Sequence, residues 1–445
     1  MQESFVSDPK THSTATGETA VGSYFVSNYP PYAYWSQDYV AQARAAIDRA
    51  PKPGADLGIY AHIPFCRKRC RFCYFKVYTD QDSAAINRYL DALISELELY
   101  KGKAFLGDRK PSFIYFGGGT PSFLSTTQLS RLVEKMQEVF AWNEAREIAF
   151  ECEPGTITEH KLNILRDMGV TRLSLGVENF TQDILEVNGR AHGAAEIDRA
   201  FGLARKIGFP QINVDLIAGM IGETDENWEE NIRKLIALDP DSVTIYQMEV
   251  PPNTKISKEM RVAGREVAPV ADWTTKRRWV DHAFRELEAA GYTITSAYTA
   301  VKDPAKAKFL YRDLLWRGAD MMAIGVASFG HINGVHYQNE TDLVPYYEKI
   351  DAGQIPIKRA LTTTEEERGI REFILQMKLG HVDRGYFADK FGPALLERFT
   401  TPLESLRTQG LLRIEGDELR LSRPGLLKVD ELLHQFFLPQ HRAAA

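Results

Sequence analysis

Cysteine is scarce in this chain: four in 445 residues, too few for a disulfide scaffold. Long apolar runs are missing as well. Nothing approaches the roughly 20 residues that a membrane-spanning helix needs, and the N-terminal MQESFVSDPKTHSTATGE lacks the apolar segment of a signal peptide. No membrane span is expected, and unpaired thiols point to the cytoplasm. Nor is there an excess of positive charge. A net charge of -6 and a pI near 6.0 give no electrostatic reason to expect a nucleic-acid partner. There is no internal repeat beyond a β/α rhythm and no low-complexity stretch. With 44% hydrophobic residues the chain can bury a sizeable core, and its length suits one large domain with additions, or two to three domains.

What is present is a crowding of that scarce cysteine. AHIPFCRKRCRFCYF places Cys66, Cys70 and Cys73 on one loop, and three thiols cannot pair off completely. Arg67, Lys68, Arg69 and Arg71 are expected to favour thiolates, which bind soft metals. Structural zinc normally takes a fourth Cys or His, and no matching second pair follows. A cubane iron-sulfur cluster has four irons, so three thiolates leave one iron free for a small molecule. A zinc or redox site that only staples the loop is the competing reading. Cys152, in the apolar run IAFEC, reads as a small core residue and not as a ligand.

From Leu57 short β-branched runs alternate with longer amphipathic ones, the pattern of a parallel sheet with crossover helices. The strands are expected at 57–63, 112–116, 147–152, 172–178, 212–219 and 242–249. The helix after the first carries Ile86, Leu90, Leu93, Ile94 and Leu97 on one face. Further helices fall around Leu162 and Leu165, at 194–207, and along Trp228, Ile232 and Leu235. That makes six β/α units. Ligands in such sheets lie at the carboxyl ends of the strands, so Glu151, Glu178, Asp215 and Glu249 become site candidates, and Gly117-Gly118-Gly119-Thr120-Pro121 lets backbone approach a ligand or simply turns tightly.

Around this core the expected divisions are an N-terminal arm (1–50), the core (51–300), a connecting strand and turn segment (301–362) and a C-terminal unit (363–445). The first 20 residues are polar and expected to be mobile, with order beginning near Tyr24. YFVSNYPPYAYW reads as an extended arm packed on something. The tail ESLRTQGLLRIEGDELRLSRPGLLKVDELLHQFF reads as helix, two strands and closing helix, a mostly helical, winged-helix-like shape. With 12 Lys/Arg against 13 Asp/Glu over 363–445 it has no basic recognition face, and reads as a lid or docking unit.

CxxxCxxC followed by an aromatic, GGGTP, the E-x-E-P of Glu151 to Pro154 and this tail resemble the radical S-adenosylmethionine enzymes. YAHIPFC, GGGTPSFL, RLSLGVENF, NGRAH and VDLIAGM in order resemble, more narrowly, the branch of oxygen-independent coproporphyrinogen III oxidases, from about residue 50 to the C-terminus. The resemblance implies an α/β fold with a partial (β/α)6 barrel of the TIM type. It implies a [4Fe-4S] cluster on Cys66, Cys70 and Cys73, whose open iron chelates S-adenosylmethionine for cleavage to a 5'-deoxyadenosyl radical, and an electron donor such as flavodoxin or ferredoxin. Matched positions imply Tyr60, Gly118 and Glu151 as contacts to a first S-adenosylmethionine. Phe72, Gly119, Thr120, Arg190 and Asp215 match a second. Met248 and Phe329 are further cofactor contacts, and Glu178 and Tyr74 are the catalytic candidates.

Several positions depart from the oxidase pattern: Glu178 stands for its glutamine, Phe75 for a cysteine two places after the third ligand, and Met248 for a small residue. On these departures, with the aromatic arm and CYFKVYTD after the cluster, the chain looks closest to the class C radical methyltransferases, including cyclopropane-forming enzymes. The expectation is therefore methyl or methylene transfer from the second S-adenosylmethionine to an unsaturated small molecule. The oxidase and a haem chaperone-like, haem-binding protein are the alternatives.

Overall fold

The computed structural model describes residues 24–264 and 269–444, so the leader expected to be mobile lies outside the described residues. Six strands form as the alternation predicts: β1 Leu57–Ile63, β2 Pro111–Gly118, β3 Glu147–Cys152, β4 Arg172–Glu178, β5 Gln211–Ala218 and β6 Ser242–Gln247. Each pairs in parallel with the next. The crossover helices include Ser83–Tyr100, Thr126–Gln137, Glu159–Asp167, Ala194–Ile207 and Asp225–Leu238. Their starts are fixed by side chains that accept otherwise orphaned N–H groups, such as Asp82 from Ala85, Thr158 from Lys161 and Thr224 from Asn227.

The two faces of this sheet differ in chemistry. Alternate residues such as Ile59, Ile63, Ile114, Phe150, Leu173, Leu175, Val214 and Ile245 are buried in the main apolar cluster beneath the helices. The intervening positions carry Glu147 and Glu151 on β3, Arg172, Ser174 and Glu178 on β4, Gln211, Asn213 and Asp215 on β5, and Ser242 and Thr244 on β6. A period of two turns this polar set to the inner, concave side. Cys152 is buried on the opposite, apolar side.

The sheet does not end at six strands. Beyond β6 lie β7 Thr293–Ile294 and β8 Thr299–Val301, antiparallel. On the opposite edge, β9 Asp320–Ile324 pairs in parallel with β1, followed by antiparallel β10 Phe329–Ile332, β11 Val335–Asn339 and β12 Ile357–Thr362. The β/α rhythm lost after residue 300 thus reflects a change of connectivity within one twelve-stranded sheet of the described residues. The C-terminal unit has its own apolar cluster, built on Phe373, Phe387, Phe399, Leu406 and Phe436, and a small antiparallel sheet of β13 His381–Asp383, β14 Leu412–Glu415 and β15 Glu418–Leu421.

The aromatic arm lies between these two bodies. Ser36 bridges to Ala360 of β12. Tyr29, 0% exposed, stacks near Phe437, and its hydroxyl accepts from Leu438 N at 3.0 Å. Among the described residues no helix is long and apolar enough to cross a membrane.

Candidate active site

The cysteine loop leaves the carboxyl end of β1 and is closed at its stem by Cys66 N–H to Tyr78 O (3.1 Å) and Tyr78 N–H to Pro64 O (2.8 Å). The glycine loop after β2 lies directly on it. Gly119 N–H donates to Ile63 O and Thr120 N–H to Phe65 O, both at 2.8 Å. A Cβ at Gly119 would sit 2.9 Å from Phe65 O and 3.0 Å from Cys66 Sγ, so only glycine lets these loops touch. Gly118 has φ +113°, and a Cβ there would meet the His62 ring within 2.9 Å.

The neighbouring arginines direct their hydrogen bonds to groups other than the sulfurs. Arg67 forks onto Glu153, Arg71 pairs with Glu259 and donates to Val187 O, and Arg69 reaches Cys73 O. The side chains that reach sulfur come from elsewhere: Thr120 Oγ1 donates to Cys66 Sγ at 3.4 Å and Arg190 Nη1 to Cys70 Sγ at 3.3 Å. Burial pushes the Cys66 thiol up to about 11 and the Cys73 thiol up to about 12. For Cys66 and Cys73 the expectation that the local arginines favour thiolates is corrected: desolvation outweighs the nearby cations. Among the described residues no three His, Cys, Asp or Glu side chains are placed around a single metal ion.

The NGRAH segment clasps this loop from the far side. Asn188 O accepts from Arg71 N, and its side-chain oxygen accepts from Ile221 N at 3.1 Å, which joins the loops after β1 and β5. Burial alone would raise the Glu153 carboxyl, but His192 and Arg67 outweigh it and hold it near 2. Asn188 and His192 lie inside NGRAH and Glu153 is the second acid of E-x-E-P, but the motifs alone assign no positioning role to them.

Above the inner face the predicted acids converge. Glu151 Oε1 accepts from Tyr115 Oη at 2.6 Å, and burial raises its carboxyl to about 7. Asp215 accepts from Ser174 Oγ and Asn213 Nδ2, each at 2.9 Å, and is also raised by burial. Glu178 has φ +66° at a bulge where the β4–β5 register shifts, which turns its carboxyl inward to 3.6 Å from Arg190 Nη2. Burial lifts it to about 7. Tyr60 stacks with Tyr115. Tyr246 is 42% exposed although it sits on the inner face near Asp215 and Glu151, so the concavity is an open chamber.

The remaining candidates line its rim or lie outside it. Phe72 and Met248 share a small apolar cluster with Met220 and Ile217 beside the end of β5. Tyr74, 41% exposed, stacks on Phe75 at the end of the cysteine loop. Phe329 is covered by the arm, its ring 4.7 Å from that of Tyr32 and 5.8 Å from that of Trp35. Glu249 is drawn away to the arm, where it accepts from Phe25 N. Residues missed in the sequence are the supporting donors Tyr115, Ser174 and Asn213. Their signal is the polar alternation inside otherwise apolar strands.

Comparison with known proteins places this geometry. The radical SAM superfamily matches residues 60–235, and the HemN C-terminal domain matches residues 363–427. The chain is 30% identical to the heme chaperone HemW of Bacillus subtilis, over 85% of this chain and 98% of the relative. The chain belongs to the radical SAM superfamily, in its HemN-like branch. Oxygen-independent coproporphyrinogen III oxidase of Escherichia coli is 28% identical over 91% of this chain and 90% of its own. The solved structure of coproporphyrinogen III oxidase (HemN) from Escherichia coli, a radical SAM enzyme, superposes with TM-score 0.78 at 25% identity, covering 93% of this chain and 96% of that one.

Membership implies a [4Fe-4S] cluster and S-adenosylmethionine. It also corrects the expected reaction. The placement among methyltransferases and cyclopropane-forming enzymes is overturned, because the relatives that match along nearly the whole chain are oxidases and a heme chaperone. The departures at Phe75, Glu178 and Met248, the aromatic arm and CYFKVYTD weighed less than matches that run from the barrel through the C-terminal unit.

Proposed function

We propose that this radical SAM protein carries out oxidative decarboxylation of a porphyrinogen propionate, as an oxygen-independent coproporphyrinogen III oxidase. The observation that carries this reading is the match to the Escherichia coli oxidase structure across both the barrel and the C-terminal unit. In that reaction the propionate would lose a hydrogen atom to the radical that S-adenosylmethionine supplies, then carbon dioxide and one electron, the electron passing to a one-electron acceptor, to leave a vinyl group.

The residues present fit the cofactors. Cys66, Cys70 and Cys73 offer three sulfurs on one loop, and donors from Thr120 and Arg190 already point at two of them. The Cys66 and Cys73 thiols, raised by burial, must lose their protons when metal binds. Bound there, the cluster and S-adenosylmethionine supply a one-electron reductive cleavage, with a reduced flavodoxin or ferredoxin as the donor class required. Glu151, braced by Tyr115, the backbone of Gly118 and Tyr60 would hold a first S-adenosylmethionine. Asp215, Arg190, Phe72, Gly119 and Thr120 would hold a second. Asp215 accepts hydroxyl donors, and Arg190 suits a carboxylate.

Glu178 need not break the oxidase pattern. Burial raises its carboxyl, so the protonated form, which can donate a hydrogen bond as an amide can, is more accessible here than in an exposed glutamic acid. Tyr74, exposed at the end of the cysteine loop, stands as the second catalytic candidate.

Anaerobically reconstituted protein given reductant, S-adenosylmethionine and coproporphyrinogen III should release carbon dioxide and 5'-deoxyadenosine together, without S-adenosylhomocysteine. Cleavage without decarboxylation would sink the reading. A second reading, haem binding without turnover, is favoured by the match to 98% of the Bacillus subtilis heme chaperone. Haem retained through gel filtration by protein that leaves coproporphyrinogen untouched would favour it.

A further inference from the structure

Arg172 opens β4 in the RLSLGVE run and is 2% exposed. It shares the inner face with Ser174 and Glu178, so its side chain rises into the chamber from the floor. Its guanidinium lies 4.0 Å from the centre of the Phe309 ring, and Phe309, Tyr311 and Tyr115 form a continuous aromatic wall there, with centroids 5.6 and 4.4 Å apart in sequence.

Three acids surround this cation, and each has its own donors. Glu147 takes Leu310 N at 2.9 Å and Tyr311 N at 3.1 Å. Glu151 takes Tyr115 Oη, and Asp215 takes Ser174 and Asn213. All three feel the charge of Arg172, yet among the described residues none forms an ion pair with it. Its Nε is sealed from water and lacks a hydrogen-bond partner. A buried guanidinium whose Nε has no partner is an unfilled demand for an acceptor, because a desolvated donor is costly to leave unpaired and a carboxylate can meet an arginine at two points.

The geometry points to Arg172 as the anchor for a substrate carboxylate at the chamber floor. This rests on the proposed oxidase reading and deepens it. A coproporphyrinogen bears several propionate arms, and one remote from the reacting centre under the cysteine loop would seat on Arg172, with its ring edge against Tyr115, Tyr311 and Phe309. The anchor would thus select polycarboxylic tetrapyrroles and fix which arm faces the cofactor.

The test uses the full chain, with coproporphyrin III and its tetramethyl ester as probes followed by fluorescence titration. R172M should weaken coproporphyrin III binding at least tenfold and leave the ester unaffected. R172K, which keeps the charge but loses the fork, should fall between. Equal binding of coproporphyrin III by wild type and R172M would overturn the anchor while leaving the oxidase reading in place. If wild-type protein binds neither porphyrin, the tetrapyrrole reading fails, and the anchor is decided by 3-phenylpropionate against 3-phenylpropanamide in saturation-transfer NMR. Preference for the acid in wild type that R172K loses supports it, and a preference unchanged in R172K, or none in wild type, overturns it. R172K keeps the buried charge, so the comparison also decides the matter if R172M does not fold.

Discussion

Arg67 and Glu153 close a two-point ion pair across 86 residues, with Nη2 2.8 Å from Oε1 and Nε 3.0 Å from Oε2. The pair ties the cysteine loop to the turn after β3, where Gly155 N–H and His192 hold the same carboxylate. Glu153 is nearly sealed and Arg67 about a third exposed, so losing one partner should cost the loop roughly 1–3 kcal/mol. E153Q should take up less iron on reconstitution and broaden the EPR signal of the reduced cluster, with R67K milder. Unchanged iron content and an unchanged signal in E153Q would remove the pair from loop positioning.

The cysteines separate by surroundings. Cys66, Cys70 and Cys73 are half-buried on one loop, whereas Cys152 is buried under the helices on the apolar face. Wild type and C152A should each hold about four iron and four sulfide. C66A, C70A or C73A should each abolish the intact cluster. Full iron content in any of the three would show that the loop is not the ligand set.

The raised carboxyl of Glu151 makes a signed prediction. Its folded value near 7 lies above the usual 4.5 because burial disfavours the anion, so its contribution to stability is fully present below pH 4.5 and is lost as pH rises through 7. E151Q keeps the acceptor for Tyr115 without the charge. At about 1.4 kcal/mol per pH unit, the variant should gain up to roughly 3 kcal/mol over wild type at pH 8 and nothing at pH 4. Thermal unfolding of metal-free protein at the two pH values measures this. A gain of equal size at both would mean that the carboxyl is not the source.

Much of this fold was legible because it is local. The strands at 147–152 and 172–178 and the helix at 194–207 have the expected bounds, since alternation and amphipathic spacing need only neighbours in sequence. What escaped is non-local. Pairing of Leu57 with Asp320 puts β9 at the edge of β1, and no short-range pattern encodes it. The charge state of the thiols escaped for the same reason: the sequence sets four cations beside them, while the side chain that reaches Cys70 is Arg190, 120 residues away. Arg172 was hidden inside a run read as a strand and as a family motif, with no role drawn from its own side chain.

The arm offers the last prediction. Its backbone is pinned from two sides: Glu249 of the core accepts Phe25 N, while Asp430 accepts Val26 N at 2.8 Å and Lys378 donates to Val26 O at 2.7 Å. Lys378 and Asp430 are themselves paired at 2.9 Å, the lysine side chain being 0% exposed. Replacing Lys378 by methionine keeps the length and apolar stem but leaves Asp430 buried without its cation, which should cost roughly 3 kcal/mol. Because the pair secures the arm between the barrel and the C-terminal unit, the loss should be local. Hydrogen exchange should speed up in residues 25–36 of K378M while β1 to β6 stay protected. D430N keeps the acceptor for Val26 N without the charge, and should fall between wild type and K378M. Uniform acceleration across the core strands in K378M would instead assign the pair to global stability, and no acceleration anywhere would show that the arm is held by its aromatic contacts with Phe329, Phe437 and Tyr298 alone.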